Sequence, residues 1–99
     1  MPNLNPLDTY PKQARHRVLK SGEIVSHNLT TAVGVTIHDL SADGALVRVS
    51  AITDFPESFN LLVVAEGLLY PAMARWRKGE WIGVQFVGEP HHMHRHKPS

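Results

Sequence analysis

Ninety-nine residues, 42% of them apolar, suffice for one domain with a single modest core and make a second domain unlikely by length alone. Ten Lys and Arg against nine Asp and Glu leave a formal charge of +1, which excludes a general polyanion binder of the histone type, so any basic function must be local. The chain has no cysteine, which excludes a disulfide frame, a thiolate metal site and a cysteine nucleophile, and fits a cytoplasmic protein.

Residues 1–16 read as a flexible N-terminal arm: Pro2, Pro6 and Pro11 fall among few apolar side chains, a composition that stays unstructured until something orders it. The first ten residues have no cationic patch followed by an apolar core, so no signal peptide is expected. Apolar runs such as 61–65 are far shorter than the ~20 residues that cross a bilayer, and no membrane association is expected. Asn28-Leu29-Thr30 matches a glycosylation acceptor, which without secretion is a chance match.

The folded domain is expected over 17–88. Val18-Leu19-Lys20 and Glu23-Ile24-Val25 flank Ser21-Gly22, which predicts a first strand with a bend or bulge at the glycine. After a turn at 27–31, Val33, Val35 and Ile37 alternate, the period of a strand with one buried face, through Leu40. Residues 39–44 form the next turn and 45–49 a third strand. A loop at 53–58 leads to a strand at 59–65, Glu66-Gly67 closes it, 69–77 makes another, and Lys78-Gly79-Glu80 turns into a last strand at 81–87. Ile24, Val35, Ile37, Val47, Val49, Phe59, Leu61, Val63, Trp76, Ile82, Val84 and Phe86 are the expected core. Six short strands without a helical period make the chain all-β and antiparallel; the pattern alone suits a closed barrel and an open sandwich equally.

The chemistry concentrates at Asp39-Leu40-Ser41-Ala42-Asp43-Gly44, an Asp-x-Ser-x-x-Gly string between two apolar runs, with Arg15-His16-Arg17 upstream. A carboxylate, a hydroxyl and a glycine at a turn, with arginines on a nearby arm, suggest a pocket for an anionic nucleotide. The same string is also ordinary turn chemistry, because Asp and Ser bond their own backbone and Gly accepts positive φ. Trp76 and Trp81 read as packing residues, and Arg75, Arg77 and Lys78 as exposed strand-end charges.

Together with Arg17-Val18-Leu19-Lys20-Ser21-Gly22-Glu23-Ile24 and the run from Ala74 to Phe86, this string makes the segment 17–86 resemble the PilZ family of bacterial cyclic di-GMP receptors. The resemblance implies a six-stranded antiparallel β-barrel of split-barrel type, with Arg-x-x-x-Arg in the arm and Asp/Asn-x-Ser-x-x-Gly after the second strand as ligand signatures. The second signature is complete, so the resemblance implies that Asp39 reads a guanine edge, Ser41 contacts the ligand or braces the turn, and Gly44 shapes the backbone. The first is not: with its second arginine at Arg17, Gln13 stands where the family has arginine. Lys12 and Arg15 adjoin it as partial substitutes, although lysine lacks the planar fork that grips phosphate or stacks on a base. The C-terminal helix common in the family has no counterpart pattern here.

Cyclic di-GMP carries two phosphates and two guanines, so a receptor needs cations, guanidinium groups and a carboxylate, which Arg15, Arg17 and Asp39 supply. The expected ligand-binding set is therefore Arg15, Arg17, Asp39, Ser41 and Gly44, with Lys12 and Gln13 in support. No cofactor and no metal are expected, and the implied partners are cyclic di-GMP and a downstream protein. A degenerate adaptor that binds protein without nucleotide is the alternative, favoured by Gln13. A barrel for single-stranded nucleic acid is a third reading, opposed by the near-zero charge and 7% aromatic content. The chain has no Gly-x-Ser-x-Gly elbow, phosphate-binding Gly-Lys-Ser/Thr loop or His-Glu-x-x-His pair, so catalysis is not expected. Residues 89–99 read as a disordered tail; His91, His92, His94 and His96 lie in it without acidic partners, which argues against a metal site.

Overall fold

A computed structural model describes residues 16–49 and 54–93, with the side chains of His16 and Arg17 left out. These residues are all strand and turn, with no helix among them. The strands are β1 (His16–Val25), β2 (Ala32–Leu40), β3 (Gly44–Val49), β4 (Ser58–Val63), β5 (Leu68–Lys78), β6 (Trp81–Phe86) and β7 (His91–His92). The order is β4-β1-β2-β3-β6-β5-β7, every pairing is antiparallel, and β4 also pairs with β5. The β4–β5 ladder closes the sheet, so the architecture is a six-stranded barrel with one short outer strand, and the sandwich is set aside. Gly67 and Gly79, both with φ near +60°, make the β4–β5 and β5–β6 turns.

Strand alternation fills the interior. Ile24, Ile37, Val47, Phe59, Leu61 and Ile82 pack there at 0–2% exposure. Two expected core residues differ. Phe86 only borders the interior, stacked on Tyr70 with ring centroids 4.3 Å apart, and Trp76 lies on the outer wall. Conversely, Val25, Leu62 and Leu69 are buried on the outside of β1, β4 and β5, where Met93 packs over them.

Three irregularities bend the ladders: between Arg17 and Lys20, between Ile37 and Asp39, and between Ala74 and Trp76. The expected bulge at Gly22 is absent. Gly22 pairs regularly with Val35 and Val63, and it is glycine because a Cβ there would come within 2.7 Å of Ile37 Cδ1. The tail expected from residue 89 begins with structure, since His91 and His92 pair with Leu69 and Leu68 and the Met93 amide donates to the Gly67 carbonyl at 2.7 Å.

Candidate functional site

The Asp39–Gly44 string is the β2–β3 hairpin. The Ser41 amide donates to the Gly44 carbonyl at 2.9 Å, and the Asp43 amide donates to Ser41 Oγ at 3.2 Å, so the serine braces the turn. From the other side the Phe86 amide donates to the Asp43 carbonyl at 2.9 Å, tying the hairpin to β6. Gly44 is already a buried strand residue. Among the described residues positive φ at glycine occurs at 67 and 79, so Gly44 does not serve a left-handed turn.

Asp39 sits just beyond the β2 bulge. Ile37 faces Val47 in the interior, the bulge adds His38, and Asp39 then faces Leu46 on the outer wall. Its carboxylate is enclosed, at 1% exposure. In the neighbouring ladder Asp39 is the register partner of Arg17, so the arm's last arginine position and the carboxylate of the string meet across one strand pair. The same row continues from Leu46 to Gly83 and from Gly83 to Trp76, crossing five strands. Trp76 lies against the Gly83 backbone, and Leu46, flanked by Gly83 and Asp39, is fully buried although it faces away from the interior. Arg15, Lys12 and Gln13 fall outside the described residues.

Beside this row His38 meets Trp81 edge-on at 4.8 Å, and the Arg48 guanidinium lies 5.6 Å from the Trp81 ring centre while its Nε donates to Glu80 Oε1 at 3.0 Å. Partial burial, and secondarily the Arg48 charge, lower the His38 pKa from its ordinary 6.5.

Behind the hairpin the barrel opens into a cavity of about 790 Å³. Leu40 and Ser41 form one wall, Val18 and Lys20 of β1 another, and Tyr70 and Glu89 lie across from them. Lys20 is ion-paired with Glu66. Desolvation, and then Glu66, raise the Tyr70 phenol above its ordinary 10, so it is a neutral hydroxyl at physiological pH. Ser41 thus both braces the hairpin and lines the mouth. The string in the sequence points to Asp39 and Ser41; Lys20, Tyr70 and Glu89 carry no motif, and only barrel closure gathers them.

Comparison with family models, with curated proteins and with solved structures returned no match. Among the described residues no helix is long and apolar enough to cross a membrane.

Proposed function

We propose that this chain is a non-catalytic cytoplasmic receptor of PilZ type that binds cyclic di-GMP and passes the signal to another protein. The observation that carries the reading is the register of Arg17 opposite Asp39, beside a hairpin braced by Ser41. A guanidinium for phosphate or base, a carboxylate for guanine N–H groups and a hydroxyl at the rim are the groups a guanine dinucleotide requires. Arg15, and Lys12 in place of the arginine absent at position 13, add the remaining cations.

Isothermal titration calorimetry of the full chain with cyclic di-GMP, with GMP and cyclic di-AMP as controls, tests it. Saturable, guanine-selective binding in the low micromolar range is expected; silence up to several hundred micromolar removes the reading. A second reading, an adaptor that binds protein without nucleotide, is favoured by the enclosure of Asp39, which a ligand reaches only by displacing what covers it. Under that reading calorimetry is silent while the fold is unchanged.

A further inference from the structure

We propose that the barrel mouth is a guanine-binding pocket, so that a dinucleotide straddling the rim at Ser41 sets one base toward Asp39 and the other into the mouth. This rests on the cyclic di-GMP reading. The argument begins with the alternation of β2. Asp39 faces outward, the next residue, Leu40, lines the mouth, and Ser41 follows at the rim. One short segment therefore carries an enclosed carboxylate on the outer wall and a hydroxyl at the mouth, on either side of an edge, and a ligand engages the first by displacing what covers Asp39. A ligand with one base reaches only one of them, whereas a ligand with two bases joined through phosphates has a base for each.

The mouth has the composition of a base pocket. Val18 and Leu40 supply apolar surface, and Tyr70 supplies a ring already held rigid by its stack on Phe86. Its volume, about 790 Å³, lies in the range of small-molecule sites. The charged groups select the base. The Lys20 ammonium has three N–H donors and no acceptor, and its pairing with Glu66 leaves donors for a carbonyl oxygen. On the other wall, Glu89 supplies carboxylate oxygens as acceptors. Guanine offers acceptors at O6 and N7 and a donor at its 2-amino group, which matches a lysine and a glutamate. Adenine turns its 6-amino group to the position of guanine O6, where a lysine has nothing to accept with, so the same pocket rejects it.

The test is calorimetry of the full chain with cyclic di-GMP and cyclic di-AMP, using wild type, Ala42→Trp and Glu89→Gln. Ala42 is exposed on the hairpin and lines the mouth, so an indole there obstructs part of it; Glu89 is exposed on the far wall and outside the motif. Melting temperatures within a few degrees of wild type establish that both variants fold. Ala42→Trp is expected to weaken cyclic di-GMP binding roughly tenfold or more, and Glu89→Gln to weaken it severalfold and narrow the preference over cyclic di-AMP. If Ala42→Trp melts early, Glu89→Gln decides alone. Wild-type binding with both folded variants within twofold of it overturns the mouth and leaves the receptor standing. A wild type that does not bind cyclic di-GMP overturns both.

Discussion

The Trp76 indole occupies the space where a side chain at Gly83 would stand: a Cβ on Gly83 would lie 2.2 Å from Trp76 Nε1. Gly83→Ala therefore forces the indole off its seat on the sheet. We expect a loss of about 1–3 kcal/mol, the range for overpacked sites, measured by urea denaturation. Adding Trp76→Ala should recover part of the steric component, and two fully additive losses would show that the indole is not the obstacle.

Gly22 gives a second steric test, this time inside the barrel. Gly22→Ala presses on Ile37 Cδ1 and on the Leu62 carbonyl, which a Cβ would approach to 3.0 Å. A loss of about 1–3 kcal/mol is expected, and Ile37→Val, which removes the Cδ1 methyl, should be less harmful in the Gly22→Ala background than alone. Equal effects in both backgrounds would contradict the packing described.

At the candidate site, Arg17→Ala is expected to weaken cyclic di-GMP binding roughly ten- to a hundredfold, as for one charge-assisted contact of about 1.5–3 kcal/mol. Gln13→Arg should strengthen binding by adding a cation four residues before Arg17. Asp39→Asn should also weaken binding, but Asp39 is enclosed, so its thermal midpoint must be measured before a lost affinity is assigned to the ligand. Calorimetry showing no change in either Arg17→Ala or Asp39→Asn would refute the site.

His38 links stability to pH. Its folded pKa lies below the ordinary 6.5, chiefly through burial and then through Arg48. As pH falls the unfolded chain takes up this proton first, so the contribution of neutral His38 is complete above about pH 6.5 and is lost as pH falls through the folded value. NMR titration should give His38 a midpoint below those of exposed imidazoles, and His38→Gln should flatten the decline in urea midpoint below pH 6.5. A His38 midpoint at or above 6.5 would contradict this environment.

The sequence makes β2 legible because Val33, Val35 and Ile37 alternate, and it makes the hairpin legible because Asp, Ser and Gly, at 39, 41 and 44, are residue types that favour turns, although Asp39 and Gly44 belong to the flanking strands. Alternation reports only that a residue has an inside and an outside. It did not tell that Leu46 and Leu62 would be buried on the outside, since such burial depends on distant segments, as with Met93 over the cluster of Leu62. Nor did it locate the bulges, which depend on the register of a partner strand: the one expected at Gly22 lies instead between Arg17 and Lys20. For the site, the local string names Asp39 and Ser41, while the β2 bulge fixes Asp39 on the wall and closure assembles the mouth.

The ladder between β1 and β4, which pairs Gly22 with Val63 and Val25 with Asn60, has a consequence for how the chain reaches its native state. The β2–β3, β4–β5 and β5–β6 hairpins close over short turns, but this seam joins segments with two intervening strands between them. Loop entropy must be lost before such a seam returns any contact energy. Refolding from urea should therefore fall in the millisecond-to-second range of non-local β topologies. Until the seam forms, β1 and β4 each expose an open edge, so the interval before closure is when the chain is most open to pairing with another copy of itself.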